Sequence, residues 1–255
     1  MVRRANETLF IADLHLAADR PAVSALALDF LAGARGAGAL WILGDLFEVW
    51  LGDDVIDPAH AATIDALTAL ADAGTAIHLM QGNRDFLLGE AFAARIGGEL
   101  HRDDELVVEL GAERDESVLL LHGDTLCTDD VDYLKLRRTL REETWQTRFL
   151  SGSAEERIAA AQALRERSRE AVAGKSDEIM DVAPDAVQAA FARSGCATMI
   201  HGHTHRPADH HRPDRRAAGE VAGRRLVLGD WHDDHARYAL HDGATLSLET
   251  WRRMG

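Results

Sequence analysis

Five short apolar runs in this chain each stop on a residue able to hold a metal ion. Residues 9–12 run into Asp13 and His15, residues 40–43 into Gly44-Asp45, and residues 77–80 into Gly82-Asn83-Arg84-Asp85. Residues 118–121 run into His122-Gly123-Asp124, and residues 198–200 into His201-Gly202-His203-Thr204-His205. Runs of this length, bounded by turn residues, read as strands buried on both faces, and in open α/β sheets ligands gather beyond the carboxyl ends of such strands. Asp13, His15, Asp45, Asn83, His122, His203 and His205 are therefore expected to converge on one edge.

Seven mixed oxygen and nitrogen donors exceed what one tetrahedral zinc takes, and structural zinc sites usually include thiolates. They suffice for two cations. A metal pair about 3.5–4 Å apart is the usual device for displacement at phosphorus. Asp45, with a glycine before it and a loop after it, is the natural bridge, while Asn83 adds a neutral carbonyl oxygen. Two divalent cations against two carboxylates, Asp13 and Asp45, leave a positive surplus that acidifies a water and stabilises charge on phosphoryl oxygens. The catalytic group is read as Asp45, Asn83, His122 and His203, with His203 orienting a phosphoryl oxygen or assisting proton transfer to the leaving group. Singly, each motif has a bland explanation as a turn or a solvated loop; the ordered set carries the reading. No Ser-His-Asp or activated-cysteine constellation competes with it.

The longer motifs resemble a known family. Gly44-Asp45-Leu46-Phe47-Glu48-Val49-Trp50-Leu51-Gly52-Asp53-Asp54, Gly82-Asn83-Arg84-Asp85-Phe86, the run from His122 through Cys127 to Tyr133, Ile179-Met180-Asp181-Val182 and the stretch from His201 to Pro207 are similar to the calcineurin-like metallophosphoesterases. Within them, they resemble the bacterial UDP-2,3-diacylglucosamine diphosphatases, over about residues 9–231. The resemblance implies an α/β two-sheet sandwich flanked by helices, with a helical cap insertion and a dinuclear centre usually loaded with Mn2+. It implies water attack at the uridine-side phosphorus of UDP-2,3-diacylglucosamine, giving UMP and 2,3-diacylglucosamine 1-phosphate in lipid A biosynthesis. Carried over by position, Arg84, Asp130, Ser168 and Lys175 fall where the family contacts nucleotide, diphosphate or glucosamine, and Asn83 and His203 touch substrate as well as metal. Tyr133, Trp50 and Val172 are weaker candidates, and core packing accounts for Trp50 equally well. The chain departs from the family at Arg167-Ser168, Val172 and Gly174, where an Asn-Ser pair and a later Asn are common. Acyl-chain preference is therefore not carried over.

At 255 residues, with five prolines, no Ser/Gly-rich linker and no repeat, the chain is expected to form one domain over 1–255. A helical insertion at about 134–178 interrupts the strand-then-donor rhythm, with helices over 134–150 and 155–172 separated by Ser151-Gly152-Ser153. The net charge of −15 argues against a nucleic-acid surface. Ten Lys/Arg against six Glu between Lys135 and Lys175 give this stretch +4, so the remainder carries −19. Two readings stay open for it: a basic cap gripping a diphosphate above an apolar groove for acyl chains, or a solvated hairpin with Glu142, Glu143, Glu155 and Glu156 paired locally.

The sequence offers no apolar segment of signal-peptide length before the first strand and no run of 18 apolar residues. A cytoplasmic protein is expected, peripheral on the inner membrane because the implied substrate is lipid-linked. Cys127 and Cys196 sit in separate regions of an expected cytoplasmic protein, where disulfides are rare, and Cys127 reads as structural. His232 and His235 around Asp233-Asp234 form a possible second cluster left without an assignment, and His210 and His211 read as part of a solvated loop. Asp53, Asp54, Asp85 and Asp124 are expected to orient histidine donors. Two rival functions are a phosphoesterase of some other UDP-sugar or nucleotide, and a non-catalytic binding protein on the same scaffold. The complete donor set disfavours the second.

Overall fold

The computed structural model describes residues 3–111, 116–172, 181–212 and 223–253, and it places the apolar runs at the centre of two stacked sheets. In the first, β1 (Thr8–Ile11), β2 (Ala39–Leu43), β3 (Ala76–Met80) and β4 (Glu99–His101) run parallel. β10 (His235–His241) and β11 (Leu246–Arg252) extend it antiparallel beyond β1, giving the order β11-β10-β1-β2-β3-β4. The second sheet has the order β5-β6-β7-β9-β8, from β5 (Glu105–Leu110), β6 (Glu116–Leu121), β7 (Thr198–His201), β8 (Ala208–Arg212) and β9 (Gly223–Val227). Its central strands β6, β7 and β9 are parallel, so their carboxyl ends point the same way.

The two-residue period of a strand explains why the runs are apolar throughout. Leu9 and Ile11 of β1, Leu40 and Ile42 of β2, and Ile77 and Leu79 of β3 pack with Leu26 and Phe30 of α1 (Pro21–Gly33), Leu67 of α2 (Ala61–Asp72) and Phe92 of α3 (Glu90–Arg95). The alternate residues Phe10, Trp41, Leu43 and Met80 meet Val118, Leu120, Ile200 and Leu226 between the sheets. Leu119, Leu121 and Met199 meet Val187 and Phe191 of α7 (Pro184–Ser194). The layers run helix, sheet, sheet, helix. Each fully buried large side chain contributes about 1.5–3 kcal/mol, so this core fixes the strand ends that carry the donors.

Between β6 and α7 stand α4 (Val131–Leu140), α5 (Glu143–Leu150) and α6 (Ala154–Val172). The first helix expected over 134–150 is instead two. Arg141 ends α4, its guanidinium donating to Gln81 Oε1 at 2.7 Å and the Gly82 carbonyl at 2.9 Å, and Glu142 is extended (φ −66°, ψ 129°). The break turns Trp145 and Phe149, stacked at 5.1 Å, towards Phe86 at 6.0 Å from Trp145. At the start of α6, Ser153 and Glu156 form a reciprocal cap, with Ser153 N–H donating to Glu156 Oε2 at 2.7 Å and Glu156 N–H to Ser153 Oγ at 3.3 Å. Residues 173–178 of the expected insertion lie outside the described residues. His210 and His211 lie on β8 rather than in a loop, because their backbone pairs with Arg225 and Arg224 of β9. Among the described residues no helix is long and apolar enough to cross a membrane.

Candidate metal centre

The turns that follow the strands are conformationally unusual in one consistent way. Asp13 (φ 57°), His15 (49°), Asp45 (54°), His203 (68°) and His205 (54°) are left-handed, and among the described residues they are the non-glycine positions with positive φ. Such backbone costs on the order of 1–3 kcal/mol per residue and persists where surrounding structure enforces it. All five belong to the predicted donor set. Gly44 (φ 91°) shows the enforcement: a Cβ there would lie 2.6 Å from both Gly82 Cα and His122 Nδ1, so the loop after β2 packs directly on the loop after β3. A Cβ on Gly82 would lie 2.1 Å from Asp45 Oδ1. Backbone bonds lace the remaining loops, with Asp13 N–H donating to Gly44 O at 3.1 Å, His15 N–H to Asp45 O at 2.9 Å and Gly202 N–H to His122 O at 2.8 Å.

On this frame the seven predicted donors converge. His15 Nε2 lies 3.1 Å from His205 Nε2, and His205 Nε2 lies 3.6 Å from Asp13 Oδ1. Asn83 Oδ1 lies 3.0 Å from both His122 Nε2 and His203 Nδ1. Asp45 Oδ2 stands between the two groups, 3.6 Å from His15 Nε2 and 3.6 Å from His122 Nε2. Its other oxygen accepts from Arg84 N–H at 2.7 Å, which leaves Oδ2 as the oxygen that faces both groups.

Proton bookkeeping shows that this set fits cations. Leu43 O, 2.8 Å from His122 Nδ1, can only accept, so Nδ1 carries a hydrogen, and in the neutral ring that a metal requires Nε2 presents a lone pair to Asn83 Oδ1. Glu48 Oε2 stands 2.9 Å from His15 Nδ1 as an ion-pair contact, and His15 Nε2 faces His205 Nε2 at 3.1 Å. Asp13 is wholly buried, its Oδ2 accepts from His203 N–H at 2.8 Å, and its Oδ1 has no hydrogen-bond partner. Lone pairs facing lone pairs, beside an orphaned carboxylate oxygen, are what a divalent ion satisfies. Separations of 3.0 Å equal those of adjacent donors about 2.1 Å from an octahedral ion.

Charge follows the same geometry. Burial works against ionised Asp13, but His205, His122 and His15 hold it below the usual carboxylate range. Burial likewise works against charged His15 and His122, yet Glu48, Asp45 and Asp13 raise the first, and Asp45, Asp13 and Asp124 the second. Burial, reinforced by His122, lowers His203 to about 4.

A profile of the calcineurin-like phosphoesterase family matches residues 7–207. This chain belongs to the calcineurin-like phosphoesterases. The UDP-2,3-diacylglucosamine hydrolase of Pseudomonas putida is 50% identical over 226 residues, covering 88% of this chain and 90% of that protein. The protein of the same name from Stenotrophomonas maltophilia is 45% identical over 254 residues, covering 96% of this chain and 99% of that one. Among solved structures, vacuolar protein sorting 29 of Cryptosporidium parvum aligns with 97% of this chain and 98% of its own at 12% identity and a TM-score of 0.42, and the assignment does not rest on it. The chain is accordingly a metal-dependent hydrolase.

In this phosphoesterase the candidate substrate residues fall into three places. Asn83, Arg84, Tyr133, Trp50 and Ser168 line one cavity of about 100 Å³ beneath α4–α6. Tyr133 OH donates to Asp124 Oδ2 at 2.5 Å, and its ring lies 6.1 Å from that of His203. Trp50 is 3% exposed, stacks on Phe47 at 4.7 Å and donates to Asp53 at 2.9 Å, so most of its indole is core. Asp130 caps α4 by accepting from Tyr133 N–H at 3.0 Å. Lys175 and the side chain of Val172 lie outside the described residues. His232 and His235 stack on each other at 4.6 Å, and among the described residues they belong to no metal-capable triad.

The aspartates expected to orient histidines hold other groups. Asp85 accepts from the amides of Gly82, Asp45 and Leu46, Asp53 from those of Gly89 and Phe92, Asp54 pairs with Arg157, and Asp124 accepts from Arg137 Nε at 2.6 Å. The orienting carboxylate is Glu48, which no motif reading had singled out although it lies three residues after Asp45. Burial opposes its ionisation, but His15, Arg84 and Arg165 bring it to about 2. Arg165, 2.7 Å from Glu48, was also missed. Burial pushes the Cys127 thiol up to about 12, which agrees with a structural cysteine.

Proposed function

We propose that this chain hydrolyses the diphosphate of UDP-2,3-diacylglucosamine in lipid A biosynthesis, releasing UMP and 2,3-diacylglucosamine 1-phosphate by water attack at the uridine-side phosphorus. The observation that carries the reading is the joining of a polar floor to apolar walls. In the cavity of about 100 Å³, Asn83 and Arg84 face Leu136, Trp145, Phe149 and Leu164, with Ser168 beside them. A second cavity of about 430 Å³, lined by Val49, Leu51, Ile56, Ile158 and Ala161, adjoins it across α6 and shares Trp50 and Arg165 with it. A diphosphate suits the first floor, and acyl chains suit the walls. The relatives named for this reaction support the same substrate.

Asp13, His15 and His205 would hold one cation and Asn83, His122 and His203 the other, with Asp45 Oδ2 shared. When bound, two divalent ions, Mn2+ in this proposal, supply charge neutralisation at phosphorus and an acidified water. The chain's own side chains do the rest. Arg84, whose Nη1 stays 3.8 Å from Glu48, binds phosphoryl oxygens beside Asn83. His203, kept neutral, acts as a donor atom and as a contact to substrate, and a phosphate leaving group needs little acid assistance. Tyr133 keeps its proton on Asp124. Asp130, Ser168 and Lys175 belong to the proposed nucleotide and glucosamine contacts.

In this reading α4–α6 form an inserted cap on one metallophosphoesterase domain spanning 1–255, and the protein works on the cytoplasmic face of the inner membrane without spanning it. The exposed apolar residues Val131, Leu136 and Ile158 and the positive charge of the insertion support that location. The test incubates metal-stripped protein with UDP-2,3-diacylglucosamine, with and without Mn2+, and follows UMP. Mn-dependent UMP release is expected. Hydrolysis of a lipid-free UDP-sugar at an equal rate would remove the lipid substrate while leaving the phosphoesterase chemistry in place.

A further inference from the structure

We propose that His78, Glu99 and His101 form a separate site for one divalent transition-metal ion of the zinc class, at the β3–β4 edge of the first sheet. None of the three belongs to the donor set at the strand ends. Register builds the cluster. β3 and β4 are parallel with His78 opposite Glu99 and Met80 opposite His101, and Glu99 and His101, two residues apart on one strand, share a face. Trp41 on β2 stacks on His78 at 4.1 Å and 13° and lies 5.0 Å from His101 at 27°. The indole thus holds both imidazoles in place before any ion arrives.

The distances match a metal triangle. His78 Nδ1 lies 3.1 Å from His101 Nε2 and 3.3 Å from Glu99 Oε2, and His101 Nε2 lies 3.8 Å from Glu99 Oε2. Donors about 2.0–2.1 Å from a tetrahedral zinc stand about 3.3–3.4 Å apart. A triangle with the observed edges has a circumradius of about 2.0 Å, so one point just off its plane lies at zinc-bond length from all three atoms.

Exposure agrees with that geometry. The side chains of His78 and His101 are 21% and 17% exposed, and that of Glu99 is 65% exposed, which opens the fourth position to water. Two imidazoles and a carboxylate favour zinc over manganese, unlike the oxygen-richer set at the strand ends. An ion here would tie the three-residue edge strand β4 to β3.

The experiment counts zinc bound to the full-length protein after chelation and dialysis, using the wild type, His101→Gln and Glu99→Gln. His101→Gln is expected to lose one equivalent while keeping the unfolding midpoint of the metal-stripped protein and its hydrolase activity in Mn2+. Glu99→Gln, a change at an exposed carboxylate, is expected to weaken that same equivalent at least about tenfold. Cu2+ provides a second reading, because an ion at this site sits beside the Trp41 indole. Quenching of tryptophan fluorescence by the first weak equivalent is expected in the wild type and lost in both His101→Gln and Trp41→Phe. Equal zinc stoichiometry and affinity in all three proteins, with unchanged quenching, would leave only a hydrogen-bonded histidine pair and overturn the proposal.

Discussion

Asp85 carries no chemistry in the proposed reaction, yet its loss should be among the most damaging single changes. The carboxylate is 0% exposed. Oδ1 accepts from Gly82 N–H at 2.8 Å and Asp45 N–H at 3.1 Å, and Oδ2 from Leu46 N–H at 2.8 Å, so one side chain ties the loop after β2 to the loop after β3. Asp85→Ala orphans four buried amides, the fourth being that of Phe47, 3.4 Å from Oδ2. At about 1–3 kcal/mol for each unsatisfied donor, the cost is at least about 4 kcal/mol, a large part of the roughly 5–15 kcal/mol that stabilises a domain. Asp85→Asn keeps an oxygen for Gly82 and Asp45 and loses the Leu46 bond and the longer Phe47 one, so it should cost about 1–3 kcal/mol for each lost bond, roughly half the cost of the Ala change. Burial and the facing Asp45 carboxylate raise Asp85 to about 6, and the comparison is therefore run at pH 8, where the wild-type group is ionised. The assay is urea unfolding of metal-stripped protein followed by circular dichroism, with bound metal counted separately in the refolded variants. An Asp85→Ala protein within about 1 kcal/mol of the wild type, or an Asn variant no better than the Ala variant, would refute the reasoning.

Three further outcomes follow from the same geometry. Asp45→Asn should lower turnover at least about a hundredfold, since Oδ2 is the atom common to both donor groups; retained turnover with unchanged metal content would sink the bridging assignment. Glu48→Gln should flatten the acid limb of stability in metal-stripped protein. Its carboxyl is depressed from 4.5 to about 2, so its contribution is complete above pH 4.5 and is lost as pH falls towards 2; the variant should melt below the wild type above pH 4.5, and the two melting profiles should converge as pH falls towards 2. Arg157→Ala removes the two-pronged pair with Asp54 (2.6 and 2.8 Å) and donors to the Gly152, Leu51 and Leu150 carbonyls, which join α6 to the loop after β2. It should cost about 1–3 kcal/mol and raise KM more than it lowers kcat, and unchanged hydrogen exchange across 143–172 would count against that role.

The legible part of this molecule is the part encoded within a few consecutive residues. An apolar run followed by Gly-Asp or Gly-Asn needs no partner in sequence to announce a buried strand and a donor-bearing turn, and all seven donors converge as their motifs imply. Glu48 was readable as part of a motif but not as a role, because what defines it is His15 on another strand's loop and Arg165 on α6. The break at Arg141-Glu142 has no glycine or proline to mark it. It is produced by tertiary anchors, the buried Arg141 guanidinium and the Trp145–Phe86 contact, which local periodicity cannot contain. His78 and His101 are 23 residues apart, and only the β3–β4 register makes them neighbours.

The left-handed donors and the facing lone pairs have a common energetic meaning. Five non-glycine residues at positive φ cost on the order of 1–3 kcal/mol each, a sum comparable with a whole domain's stability. The amide bonds to Asp85 and the backbone lacing offset part of it. They do nothing for Asn83 Oδ1 and the His122 Nε2 lone pair held 3.0 Å apart, or for Asp13 Oδ1, buried without a donor. A cation relieves both while the histidine stays neutral, and it does so only in the folded arrangement, because the unfolded chain does not bring the strand ends together. Ion binding and folding are therefore one coupled equilibrium, in which each bound ion adds about 2.7 kcal/mol at a hundredfold excess over its dissociation constant. A substitution that relaxes a donor's strained backbone at the same position should stabilise the metal-stripped protein while weakening ion binding, so the two effects will carry opposite signs at Asp13, Asp45 and His203.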